Sequence, residues 1–254
     1  MKKQMVGLSV AAAVCVLGTT LMGAPAIAAP AGVSQVELEK TKSSLAASDI
    51  APAQQAELLQ KVTDGELWDA ASGKAAVSST TKQQGDYKVT KDVYADGSYT
   101  EMGIEQGRQA SPAELQAMIA QAKPFLDGTA KSNVVLPPKT GGVSTQAQGV
   151  SNCVFGNNGG VRYAQSCHVY YHGVTWSNSF NANYQITPTS SKSQLIANSN
   201  KVVTVLAVSN EIAFSRNNGR DIRHQFNLSA GGWGNTPFWL DLRTTTGGAS
   251  VARA

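Results

Sequence analysis

The chain has little of what most catalytic and redox chemistry requires. Of its 254 residues, three are cysteine and three are histidine. No two cysteines stand at the close spacing of a zinc ribbon or a redox-active pair. Past the amino-terminal segment there is no Gly-x-Ser-x-Gly elbow of the kind that presents a hydrolase nucleophile. Gly156-Asn-Asn-Gly-Gly160 has the outline of a serine-protease nucleophile loop, but Asn158 stands where the serine is needed, and an amide does not attack a carbonyl. Acid is scarce as well. From residue 151 onward the carboxylates are Glu211, Asp221 and Asp241, so a glycosidase pair in this half would be drawn from those three, and no motif marks a site that uses carboxylates from further upstream. After residue 28 no apolar run approaches the ~20 residues that span a bilayer.

What the chain does have begins at its first residue. Lys2 and Lys3 precede a mostly apolar stretch from Val6 to Met22, and Ala26-Ile27-Ala28 supplies small residues at the spacing of a cleavage site. Residues 1–28 therefore read as a signal peptide and the remainder as a secreted, extracellular protein. A retained anchor is the alternative, but Gly7, Ser9, Gly18, Thr19, Thr20 and Gly23 dilute the run. Cys15 lies in mid-hydrophobe rather than after it, which disfavours a lipid anchor, and it leaves with the signal. Cys153 and Cys167 remain, and in an oxidising compartment they are expected to form one disulfide. Closing so short a loop is worth about 3 kcal/mol in the chain-entropy model, enough to help a local hairpin.

Composition divides the rest. Residues 29–150 carry eleven Lys and Arg against fourteen Asp and Glu, and residues 151–254 carry eight against three. The first part is rich in Ala, Gln, Lys and Glu. The second is rich in Asn, Ser, Thr, Val, Gly and aromatics. Two bodies are expected: a helical and β-hairpin region over 29–135 and an all-β body over 151–254, joined by a Pro/Gly linker at 136–150. In the first, the pattern predicts a helix within 33–47 and another after Ser48 or Asp49 with Pro52 in its first turn. It also predicts a hairpin of Tyr87–Tyr94 and Ser98–Ile104 about Asp96-Gly97, and a helix capped by Ser111 with Glu114 completing the box. In the second, short β-rich runs at 161–165, 167–176, 180–187, 201–208, 211–216, 221–229 and 237–243 are separated by Gly/Asn turns. They predict an antiparallel sandwich or small barrel. Phe180, Ala182, Tyr184 and Ile186 should face one way, buried, and Asn181, Asn183 and Gln185 the other, wet. The fold class expected is α+β.

The run Leu58-Leu-Gln-Lys-Val-Thr-Asp-Gly-Glu-Leu-Trp-Asp69, with Val77-Ser-Ser-Thr-Thr81 and the Tyr94-Ala-Asp-Gly-Ser98 turn, resembles a segment near the N-terminus of secreted proteins of Gram-positive bacteria, actinobacteria in particular. The resemblance implies export and a bacterial source, and it brings no catalytic residues with it.

The histidines a metal would use are His168, His172 and His224. His168-x-x-x-His172 would put both rings on one ion if helical, but the neighbouring Val, Tyr and Thr argue for a strand, where four residues span about 13 Å. No metal and no cofactor is expected. Trp233, in the glycine loop Ala230-Gly-Gly-Trp-Gly-Asn-Thr236, and Trp176 and Tyr171 are the aromatics best placed to stack on a sugar or engage an apolar partner, with core packing the competing role for most of the aromatic group. Arg216, Arg220 and Arg223 flank the Asn217-Asn218-Gly219 turn, where they would meet an anionic polymer or simply form a solvated sheet edge. No nucleic-acid motif accompanies them. The reading that follows is a non-enzymatic extracellular binding protein with a cell-wall glycan, an anionic polymer or a protein as partner. The alternative is a secreted effector, either an unmarked hydrolase or an antimicrobial, membrane-acting protein. The opposite charges of the two parts also admit residues 29–135 as a propeptide of the β body.

Overall fold

A computed structural model describes residues 33–129, 153–205, 207–229 and 236–253. The signal segment, the linker at 136–150 and Trp233 lie outside the described residues.

The amino-terminal part folds as its local signals dictate. Helix α1 (Gln35–Ala46) starts at Ser34, whose side chain accepts from Glu37 N while the Glu37 carboxylate accepts from Ser34 N. This reciprocal pair satisfies two of the donors a helix start leaves open. Helix α2 (Pro52–Thr63) is capped differently from the expectation. Its N-cap is Ala51, with no side-chain bond. Ser48 is engaged in closing α1, its Oγ donating to Leu45 O at 2.6 Å, and Asp49 is held by Lys91 at 2.9 Å. Beyond α2 a polar stretch, to which the sequence pattern assigns no element, is strand β1 (Ser78–Gln84), exposed at every residue. It pairs with β2 (Tyr87–Val93), which pairs with β3 (Tyr99–Glu105) in the predicted hairpin. A two-residue strand β4 (Arg108–Gln109) leads to α3 (Pro112–Leu126), capped by the Ser111/Glu114 box.

The carboxy-terminal part is β throughout: β5 (Val154–Asn158), β6 (Val161–Gly173), β7 (Trp176–Ile186), β8 (Ser191–Leu195), β9 (Lys201–Thr204), β10 (Ala207–Arg216), β11 (Asp221–Ser229), β12 (Thr236–Thr245) and β13 (Gly248–Arg253). Gly159 and Gly160, both at positive φ, make the two-residue turn between β5 and β6. The expected strand 167–176 is two strands, because β6 ends at Gly173 and β7 begins at Trp176. β10, β11, β12 and β13 form a four-stranded antiparallel sheet, and the other described strands form a nine-stranded one.

The larger sheet joins what composition separates. β3 from the acidic part pairs antiparallel with β6 from the basic part, from Thr100 opposite Gly173 to Ile104 opposite Val169. β4 adds to β5 in parallel. Both sheets and the first two helices share one apolar core, in which Leu45, Leu58 and Trp68 belong to the same cluster as Phe180, Phe226 and Leu240. The rings of Trp176 and Phe238 meet between the sheets at 4.9 Å. The fold is α+β with a β-rich carboxy-terminal part.

Cys153 and Cys167 form a disulfide across 14 residues, with Cα atoms 4.2 Å apart. It lies where β6 carries a bulge, between Ala164 and Cys167. Gly107, at φ +66°, passes directly over it, and a Cβ there would stand 2.3 Å from Cys153 O. Only glycine accommodates both that dihedral and that approach.

The alternation along β7 departs from expectation in an informative way. It alternates buried and half-buried as far as Asn181 and is buried on both faces from Ala182 to Ile186. Asn183 and Gln185 are covered because α3 lies over this end of the sheet, with Met118 and Ala122 packed on Tyr163.

Candidate functional site

The outer face of the small sheet carries its charge. Antiparallel pairing sets Arg223 on β11 opposite Asp241 on β12, with Gln225 opposite Trp239 one step along the same face. Arg223 grips the Asp241 carboxylate through Nε at 2.7 Å and Nη2 at 2.8 Å. Arg216 approaches the same carboxylate at 3.4 Å and Arg243 at 3.3 Å. The Asp241 side chain is 1% exposed, whereas those of Arg216 and Arg243 are 34% and 47% exposed. Three guanidinium groups thus share the sunken Asp241 carboxylate, and with Asp221, also buried and opposite both Arg216 and Arg243, the face keeps an excess of one positive charge. The Arg223 guanidinium also lies 4.0 Å from the Trp239 ring centroid, with Arg243 at 5.8 Å. Stacked on an aromatic face and locked by a bidentate bond, Arg223 loses little further freedom when it meets an anion. Ile212 lies in the same row of strand partners as Gln225 and Trp239 and is half exposed.

Of the three arginines named from the sequence, the structure brings Arg216 and Arg223 together. Arg220 stays on the turn, its Nε donating to Asn217 O at 3.2 Å. Arg243 and the organising role of Asp241 were not picked out. The alternation Trp239, Asp241, Arg243 marks one face of a strand, but only the pairing register shows that Arg223 stands across from it.

The aromatic candidates are placed otherwise. Tyr171 and Trp176 are both buried in the core, stacked edge-on at 4.4 Å, and do not reach a ligand. The period-2 pattern of β6 explains this, since Val169 and Tyr171 face inward while His168, Tyr170 and His172 face out. Those three rings lie nearly parallel down the strand, with centroids 6.0 and 5.6 Å apart. Tyr170 fits across the backbone of Gly103, where a Cβ would stand 2.6 Å from the ring. Around this ladder, Tyr87 packs edge-on to His168 and Tyr170, and Glu101 meets His172 Nε2 at 3.4 Å. The contact with His172, together with Lys91, holds the Glu101 carboxyl below its ordinary range despite burial. Burial pushes the His168 imidazole down and the Tyr170 phenol up.

His224 is elsewhere, fully buried between the sheets, with Nε2 3.0 Å from Glu211 Oε1. A bulge between Ser209 and Ile212 in β10 lies at Glu211, whose side chain stays 36% exposed while meeting the buried imidazole. Burial lowers the His224 pKa and outweighs the hydrogen bond to Glu211, which works the other way. Asn178, Asn200, Phe180 and Phe226 lie beside the pair, and Ser179 meets His224 through its backbone. The three histidines thus occupy two places separated by the large sheet, and among the described residues no group of three or more His, Cys, Asp or Glu is arranged to hold a metal ion.

The fold and this surface define an α+β protein of two facing sheets whose most organised exposed chemistry is a cationic, aromatic platform. No protein-family model, curated protein or solved structure matches the chain.

Proposed function

We propose that this is an exported, non-enzymatic binding protein that holds an anionic polymer or acidic glycan of the cell envelope on the Arg216, Arg223, Arg243 and Trp239 platform. The observation that carries the reading is the buried carboxylate of Asp241 with three guanidinium groups around it. The cluster is pre-ordered and keeps a net positive charge facing outward, beside a ring able to stack on a sugar. The leader-like first 28 residues support an extracellular partner. A hydrolase would need a carboxylate or histidine pair facing a cleft, whereas the His224 imidazole that meets Glu211 is itself sealed between the sheets.

Retention on purified Gram-positive cell wall is the test, with chitin and cellulose as uncharged controls. Binding to the wall should weaken steeply with added salt, as a polyanion contact requires. The Arg243→Gln and Trp239→Ala variants, whose substitutions lie on the outer face, should each reduce retention about tenfold, equivalent to about 1.4 kcal/mol. Equal retention on chitin, or none on the wall, would overturn the reading.

A further inference from the structure

A second site lies where α3 covers the large sheet and the 217–219 turn approaches it. Strand pairing places Gln185 beside Lys192 and Asn183 beside Gln194 across β7 and β8. Between this floor, Phe125 near the end of α3, and the 217–219 turn runs a cleft of about 400 Å³, within the size range of small-ligand sites. A pocket of about 20 Å³ continues beneath α3, and Gln185 and Gln194 line both spaces. The lining carries two cations, Lys192 and Arg216, and among the described residues no carboxylate. Gln194 is 4% exposed, and its Nε2 is buried without a hydrogen-bond partner among the described residues.

We infer that this cleft binds an acidic saccharide: a hydroxyl-rich ring bearing one carboxylate or phosphate. Side-chain amides offer a donor and an acceptor on one rigid plane, the complement of paired sugar hydroxyls, and the Gln194 Nε2 donor is already desolvated and unspent. Lys192 and Arg216 supply charge for the anionic group. Phe125 supplies an apolar surface for the ring's C–H face. The cleft does not depend on the small-sheet platform. Arg216 borders both, so the variants that separate them avoid it.

Calorimetric titration of the purified protein with a glucuronate-containing disaccharide, glucose 6-phosphate, the neutral glucose disaccharide and inorganic phosphate tests the assignment, and the first two probes tell a carboxylate source from a phosphate one. At least one acidic saccharide should bind, and the neutral sugar should bind at least tenfold more weakly. Gln194→Leu should weaken binding at least tenfold with no loss of folding stability, because it replaces an unpartnered buried amide with an apolar side chain of similar size. Lys192→Gln should erase the preference for acid over neutral sugar, and Trp239→Ala should leave all four titrations unchanged. The inference falls if neither acidic saccharide binds, if inorganic phosphate binds as tightly as the saccharides, or if Gln194→Leu binds like the parent.

Discussion

The outer faces of the two sheets solve the same problem in different ways. Both must present polar side chains while the inner faces build a common core. The small sheet concentrates charge, drawing Arg216, Arg223 and Arg243 onto one buried carboxylate. The large sheet disperses it. At one end it lays histidine and tyrosine rings along β6 with Glu101 and Lys91 alongside, and at the other it buries uncharged amides under α3. A concentrated cluster is rigid and holds a net charge, so it suits a polyanion. A dispersed, amide-rich surface keeps its donors and acceptors available, so it suits a hydroxylated ligand.

That contrast makes the cost of losing one carboxylate very different on the two faces. Asp241→Asn leaves three guanidinium groups without their shared counter-charge, and chemical denaturation should show a loss of about 3 kcal/mol or more, as for other broken buried pairs. Glu101→Gln, whose carboxylate is 20% exposed and shared with only Lys91 and His172, should cost less, about 1 kcal/mol. Similar losses for both would erase the distinction between concentrated and dispersed charge. Next in size, replacing Cys153 and Cys167 together by serine should cost about 3 kcal/mol, with the large sheet taking the loss. Hydrogen exchange should rise first at β5 and β6, and a loss centred on the small sheet would show that the bridge works across the core instead.

The smallest effect is a pH dependence to which both sheets contribute. Burial lowers the pKa values of both His168 and His224. In the unfolded chain these imidazoles titrate near their ordinary value of 6.5, so as pH falls the unfolded state takes up protons before the folded state does. Stability is therefore full above that value and declines below it, by at most about 1.4 kcal/mol per pH unit for each histidine. His224→Phe and His168→Phe should each reduce the decline. An unchanged slope in His224→Phe would show that this histidine carries no part of the acid sensitivity.

Elements whose signals are local were readable from sequence: the Ser34–Ala46 region, the Ser111/Glu114 box, the Asp96-Gly97 hairpin, the Gly159-Gly160 turn and the β character beyond residue 153. Strand β1 was missed because Ser-Ser-Thr-Thr-Lys-Gln-Gln has no buried face to produce an alternating pattern. β13 and β8 are short, and Ala, Ser and Gln give them little β signal. Register decided the sites. The pull of Arg223 toward Asp241 and the meeting of Gln185 with Lys192 depend on which residues stand opposite each other, and periodicity within a single strand leaves that open. The burial of Tyr171 and Trp176 followed from the same cause, since facing inward is fixed by the sheet's partner rather than by the residue's own chemistry.

The β3–β6 ladder bears on maturation. A peptide bond broken anywhere between residues 130 and 152 would nick the backbone without freeing the amino-terminal portion. Five residue pairs would still join β3 to β6, β4 would still lie against β5, and Leu58 and Trp68 would still sit in the apolar interior. Proteolysis there would yield a two-chain protein, and an acidic segment that departed after cleavage would have to take a strand out of a finished sheet.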